Sequence, residues 1–310
     1  MTSAQYEKET DEKGAFVRQT SAFRDSVTAD GSSGFKAEKG RYHLYVCYAC
    51  PWASRAIIYR KLKGLEDVIS MTAVDPVRDD EGWKFFPEDP DPINGFEYLS
   101  EAYLLTDPEF SDRVTVPVLW DKETNRAVNN ESSEIIRMLN TEFDEWAANP
   151  DLDLYPEALR PEIDSINDLV YDKINNGVYK AGFATSQEAY ESAFIELFEA
   201  LDQIDDRLAG KRFLTGDSIT EADWRLFVTL IRFDAVYVGH FKCNQRRIAD
   251  YDNLAGYLRE LYQQPGIAET VNMDHIKRHY YVTHPKINPT RIVPMGPLLD
   301  LDSDPGRSHL

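Results

Sequence analysis

The first sustained alternation of apolar and polar positions along the chain begins just after Arg41. "YHLYVC" has the loose two-residue period of a strand. It runs into "PWASRAIIYRKLKG", where Pro51 suits a first helical turn. Trp52, Ala56, Ile57 and Tyr59 supply apolar positions, and Gly64 supplies a stop. "EDVISMTAV" predicts a second short strand. The segment from Asp75 to Arg113 is rich in prolines and turn formers, and a loop of that length is uncommon unless it serves a purpose. "VTVPVLWDKETNRAVNN" then predicts a hairpin around "DKETN", and "ESSEIIRMLNTEF" a helix with an Ile-Ile-Met-Leu face.

Further on the period changes from two to between three and four. Tyr190, Phe194, Leu197, Leu201, Ile204 and Leu208 form one stripe on a predicted helix that Gly210 ends. Thr220 and Asp223 have the spacing of a capping box, with Ile219 and Trp224 placed for a hydrophobic staple. Helices are also predicted over Leu254–Gln264 and near His275–Tyr281. The pattern divides the chain into an extended arm (1–39), an α/β domain (40–145), an all-helical domain (155–282) and a proline-rich tail (283–310).

Charge changes the picture more than bulk composition does. Fifty-four acidic residues against 34 basic ones give a net charge of −20, the wrong sign for a nucleic-acid backbone or an anionic membrane surface. Basic residues favour Arg over Lys, 20 to 14. This balance suits a halophilic host, where dense carboxylates keep a surface hydrated and salt screens their repulsion. An ordinary acidic enzyme is the simpler alternative. Three cysteines make a disulfide framework unexpected. The polar, acidic start has neither an apolar secretory core nor Arg-rich organellar character, so a reducing cytoplasm is expected.

Candidate chemistry centres on Cys47 and Cys50. A zinc site needs two more ligands, and neither the lone Cys243 nor the pair His275 and His279 completes one. No metal is expected. In a dithiol of the thioredoxin type, the attacking cysteine starts the helix and its partner lies three residues further in. Pro51 makes Cys50 the helix-start cysteine, and Ala53 occupies the partner's position, while Cys47 lies upstream at the strand end. The third reading makes Cys50 a lone nucleophile. Unpaired N–H groups and the dipole at a helix start stabilise a thiolate, moving a cysteine pKa from ~8.5 into roughly the 3.5–7.5 range. Cys47 reads as a packing residue.

"ACPWASR", "TVPVLWD", "NNES", "NNGVYKAGFA", "TEADWRLFVTLIRFD" and "IKRHYYVTHPKINPTRIVPMGP" together resemble the glutathionyl-hydroquinone reductases, the Xi class of cysteine-type glutathione transferases. The chain departs at Ser54, where the family often has histidine, and in carrying Cys47. The resemblance implies a thioredoxin-like α/β domain, an all-α C-terminal domain and a homodimer. It implies reduction of S-glutathionyl-hydroquinones by Cys50, with glutathione or its relative γ-glutamylcysteine as co-substrate. It makes Tyr179 the proton donor or acceptor, and Tyr237 and Tyr280, the latter adjacent to Tyr281, stabilisers of the thiolate. It assigns Trp83, Arg113, Val116, Glu131 and Ser132 to glutathione. Val116–Pro117 would be the cis-proline turn, and the helix start at Glu131 and Ser132 would hold the γ-glutamyl group. Two rivals remain: an Omega-type thioltransferase or dehydroascorbate reductase, and a non-catalytic glutathione-transferase-like assembly module.

Overall fold

The computed structural model describes residues 10–310; residues 1–9 of the expected arm lie outside it. The arm carries a short parallel pair, β1 (Val27–Thr28) and β2 (Phe35–Lys36). The predicted strand is β3 (Tyr42–Val46), buried along its whole length, and it leads through Cys50 into α1 (Pro51–Leu62). Gly64 ends that helix at φ +63°, where an added Cβ would lie 2.5 Å from that of Ala148. The second predicted strand is β4 (Ser70–Ala73).

The long proline-rich segment is not all loop. It contains α2 (Leu99–Thr106), whose start Glu101 caps by accepting from the Tyr98 N–H at 2.9 Å. At eight residues in turn-rich surroundings, this helix has too few periods to register as a pattern. Its approach is shaped by Asp91, whose carboxylate accepts from the N–H groups of Ile93, Asn94 and Phe96 and from the Tyr45 hydroxyl.

The hairpin is β5 (Val118–Asp121) and β6 (Arg126–Asn129), and α3 (Ser132–Thr141) follows. The sheet order is β4-β3-β5-β6, with β3 parallel to β4 and the other pairs antiparallel. Buried Asp121 at the hairpin turn is paired bidentately by Arg41, at 2.8 Å from both Nε and Nη2. The open edge of β6 is covered by the arm, where Asp25 N–H donates to Val128 O at 3.0 Å.

The helical elements are α4 (Arg160–Leu169), α5 (Gly177–Gly182), α6 (Gln187–Leu208), α7 (Glu221–Arg232), α8 (Leu254–Tyr262) and α9 (Met273–Thr283). Wide π-type turns join α4 to α5 (Val170–Asn175) and extend α7 (Phe233–Tyr237). The stripe read from the sequence is the inner face of α6: Leu197, Leu201, Ile204 and Leu208 are buried, each contributing about 1.5–3 kcal/mol of transfer free energy. Helix α7 is buried all round and carries the predicted capping box of Thr220 and Asp223.

Two compact units result, and their limits differ from those expected along the sequence. The first holds Gln19–Asp153 and Glu269–Thr283; the second holds residues 10–18, Leu154–Ala268 and His284–Leu310. Helix α9 thus joins the α/β unit rather than the helical one. His279 Nδ1 donates to Pro76 O at 2.6 Å, and Thr283 Oγ1 accepts from Arg78 N–H at 3.3 Å. The start of the arm instead pairs with the helical unit, where Thr185 N–H donates to Gly14 O at 3.0 Å. The tail is pinned through Arg307, whose guanidinium donates to the carbonyls of Leu208, Lys211 and Arg212. No helix among the described residues is long and apolar enough to cross a membrane.

Candidate active site

In the α/β unit Cys50 occupies the N-cap of α1 with extended backbone angles (φ −78°, ψ 121°), and Pro51 is the first helical residue. Its N–H donates to Cys47 O at 3.0 Å, and its carbonyl accepts from Ser54 N–H at 3.0 Å. The thiol is part-exposed and lies 3.5 Å from the carbonyl oxygen of Val116, whose peptide to Pro117 is cis. The structure therefore brings Cys50 and Val116 together. Cys47 and Cys243 are both buried, and burial pushes the Cys243 thiol far up. Among the described residues no cluster of His, Cys, Asp and Glu is placed to hold a metal ion. His279, one of the pair weighed for zinc, is instead engaged with Pro76 and stacked on Trp83 at 5.2 Å.

Glu131 is the N-cap of α3. Its Oε1 accepts from Ser133 N–H at 3.1 Å and Ser133 Oγ at 2.8 Å, and its Oε2 accepts from Ser21 Oγ at 2.9 Å. Burial acts to raise its pKa. The bonds from Ser133 and Ser21 and the Arg55 charge outweigh burial and hold the carboxyl below its usual range. Ser132 is buried beside it, and its hydroxyl accepts from Arg55 Nη1 at 3.3 Å.

Arg55 is the residue that sequence reasoning missed. It is 1% exposed, on α1, with its guanidinium 4.5 Å from the Trp52 ring centroid. It sets a buried positive charge at the start of α3, beside the donor groups expected to receive a carboxylate. The signal was present in "ACPWASR", but an arginine on a helix ordinarily reads as solvent-facing.

A carboxyl held low in the folded chain stabilises the fold above its ordinary range, and that contribution is lost as pH falls through its folded value. Glu131→Gln is thus expected to cost about 1–2 kcal/mol at neutral pH and little at acid pH, read by urea unfolding at both. A cost that does not change with pH would refute this role for the charge.

Trp83 is buried, stacked on His279 with 20° between the planes and covered by the Arg78 guanidinium at 5.1 Å. Those contacts anchor the proline-rich segment, so the simple anchoring role is satisfied whatever else Trp83 does. Arg113 meets the arm through Gln19, which accepts from its N–H and donates to its carbonyl, both at 3.1 Å. Tyr280 is buried on α9, its ring 5.1 Å from that of His279.

In the helical unit Tyr179 lies on α5 and Tyr237 on the wide turn after α7, with ring centroids 6.1 Å apart. Tyr237 is fully buried and stacks on Phe241 at 5.5 Å; Tyr179 is half-buried. The structure brings these two tyrosines into one aromatic cluster with Phe16, Phe183 and Phe241.

A thioredoxin-type sheet with a cysteine at the first helix start, followed by a helical unit, defines a glutathione transferase. Family models for the glutathione S-transferase N-terminal and C-terminal domains match residues 49–142 and 187–260. The chain is 55% identical over 304 residues to glutathionyl-hydroquinone reductase YqjG of Escherichia coli, covering 95% of this chain and 92% of that one. It is 54% identical over 287 residues to glutathionyl-hydroquinone reductase PcpF of Sphingobium chlorophenolicum, covering 92% and 90%. A solved Xi class glutathione transferase from Natrialba magadii superimposes with a TM-score of 0.91 at 54% identity, covering 94% and 90%. The chain belongs to the glutathione S-transferases and, within them, to the Xi class of glutathionyl-hydroquinone reductases.

Proposed function

We propose that the chain reduces S-glutathionyl-hydroquinones to hydroquinones. The observation that carries this reading is Cys50: a part-exposed thiol at the N-cap of α1, facing the Val116 carbonyl, with alanine where a resolving cysteine would stand. A helix start favours the thiolate. The Cys50 thiolate attacks the thioether sulfur of the conjugate. The carbon–sulfur bond breaks, its electron pair goes to the ring carbon, and that carbon takes a proton. Hydroquinone departs, leaving Cys50 joined to glutathione as a mixed disulfide. A second thiol, entering as its thiolate, attacks the glutathione sulfur, releases glutathione disulfide and returns Cys50 as thiolate. The sum is conjugate plus thiol giving hydroquinone plus disulfide, so the lone cysteine suffices.

In this reading Tyr179 supplies the proton to the ring carbon, and Tyr237 and Tyr280 hydrogen-bond near the sulfur. Val116 and Arg113 line the backbone edge for the cysteinyl unit. Ser132 and Glu131, supported by Arg55, receive the γ-glutamyl group, and Trp83 covers the thiol. A phenol is a weak acid at neutral pH, so Tyr179 depends on its position as well as its acidity. The anchors suit glutathione and γ-glutamylcysteine alike.

The test is hydroquinone release from an S-glutathionyl-hydroquinone with each thiol supplied in turn. Release with either supports the reading, and the faster thiol is the better donor candidate. No release from folded protein overturns it in favour of an Omega-type thioltransferase or a non-catalytic assembly module. We further read the chain as a homodimer, as the Xi-class resemblance implies, and its host cytoplasm as reducing, on the odd cysteine count, and salt-rich, on the net charge of −20. Light scattering and thermal unfolding from dilute buffer to molar KCl are expected to give a dimer whose stability rises with salt. A monomeric mass, or a melting temperature indifferent to KCl, would remove the corresponding claim.

A further inference from the structure

The start of the arm belongs to the helical unit, and its last residue there is Arg18. The arm is docked independently of that side chain. Thr185 N–H donates to Gly14 O at 3.0 Å, and Ser186 Oγ donates to Lys13 O at 2.8 Å. Gly14 has φ +82°, and a Cβ there would stand 2.6 Å from Thr185 Oγ1 and 3.0 Å from Ser186 N, so the close approach requires glycine. Phe16 then stacks on Tyr179 at 6.2 Å and lies tilted against Phe183 at 5.7 Å.

Beyond this anchor the Arg18 guanidinium lies over the face of Tyr179, 4.9 Å from the ring centroid, and 5.2 Å from that of Phe16. Its Nε donates to Asn176 Oδ1 at 2.6 Å. Asn176 also accepts through its carbonyl from Tyr179 N–H at 3.0 Å. One buried asparagine therefore holds both the guanidinium and the helix start that carries the phenol. The cation and the ring are held in one geometry rather than merely meeting.

Other groups near the ring include a paired lysine, a second phenol and two histidines. On α5 itself, Lys180 is paired with Asp172 at 2.5 Å. From the turn after α7 comes the phenol of Tyr237, and the phenylalanines Phe16, Phe183 and Phe241 also lie against Tyr179. His240 and His284, 3.1 Å apart through Nε2 and Nδ1, contact Phe241, and burial lowers His240 to about 4.

We propose that Arg18 is a positioning residue for the reaction: its guanidinium, fixed by Asn176 over the ring face of Tyr179, orients that phenol and makes it a better proton donor. A cation over an aromatic face is attracted to the ring and favours the ionised phenol over the neutral one. This rests on the proposed role of Tyr179 and supplies the acidity that an ordinary phenol lacks.

The experiment compares pH profiles of kcat/KM for hydroquinone release by wild type, Tyr179→Phe, Arg18→Met and Arg18→Lys, with thermal unfolding of each. Tyr179→Phe identifies the alkaline limb that belongs to the phenol by removing it. Arg18→Met is expected to move that limb up by about one pH unit and to slow release about tenfold at neutral pH. Arg18→Lys, which keeps a charge but loses the planar fork, is expected to recover part of the shift. A limb unmoved in Arg18→Met, or a rate loss there with no shift, overturns the inference while leaving Tyr179 its role. A limb that survives in Tyr179→Phe overturns the role of Tyr179 and the inference with it.

Discussion

Cys50→Ala is expected to bring hydroquinone release down to background, a loss of at least ~10³-fold, because in the proposed mechanism Cys50 carries the mixed disulfide. Intact-mass measurement should show one glutathione added to wild type when the conjugate is supplied without a second thiol, and none added to the variant. Cys47→Ser is expected to keep most turnover. Cys47 is buried at the end of β3 and serves Cys50 through its backbone carbonyl, which accepts from the Cys50 N–H and is indifferent to the side chain. Serine there introduces a buried hydroxyl, so a modest loss of stability accompanies it. Equal loss of release in both variants would mean that the two cysteines act as a pair, contrary to the geometry of α1.

The largest effect on stability is expected at Asp223. Its carboxylate is fully buried and accepts four bonds. Oδ1 receives Leu214 N–H at 2.9 Å and the Tyr257 hydroxyl at 2.7 Å; Oδ2 receives Thr220 N–H at 2.8 Å and the Thr220 hydroxyl at 3.1 Å. Asparagine cannot replace it in either orientation, because its NH₂ would face a backbone N–H that can only donate. Asp223→Asn is therefore expected to cost about 2–3 kcal/mol, and Asp223→Ala about 4 kcal/mol, since it also strips the cap from α7. Urea unfolding measures both. A loss below about 1 kcal/mol in the alanine variant would show that neighbouring groups or water satisfy these donors. Because α7 is buried all round, the loss should appear as destabilisation of the helical unit as a whole, not fraying of one helix end.

The capping box illustrates how much was legible in the chain. Thr220 and Asp223 stand three apart before an apolar run, and that spacing alone predicts their reciprocal bonds. The further bonds from Leu214 and Tyr257 were not legible, since Tyr257 lies 34 residues away on α8. Cys50 follows the same division. Pro51 placed it at a helix start, whereas its contact with Val116 spans 66 residues. Among the residues proposed to bind the thiol, Glu131 and Ser132 declared a helix N-terminus. Arg55, 77 residues from Ser132, became visible only when α1 and α3 came together. Short α2 was missed because eight residues among turn formers carry too few periods to read.

The domain limits show the boundary most clearly. Composition changes near residue 39, near residue 150 and at the tail, and these mark where regular elements begin and end. They do not say which unit each stretch packs against. Only the folded chain sends α9 to the α/β unit and the start of the arm to the helices, through contacts such as Pro76 to His279 and Arg18 to Asn176, the latter 158 residues apart. The sequence by itself determined the main strands and longer helices, the amphipathic stripe, the caps and the place of Cys50 at a helix start, because each depends on hydrogen bonds and burial periods spanning a few residues. Tertiary structure decided the partners of Arg55, Arg18, Trp83 and Asp223, because a buried polar group takes whichever partner the closed chain brings within reach.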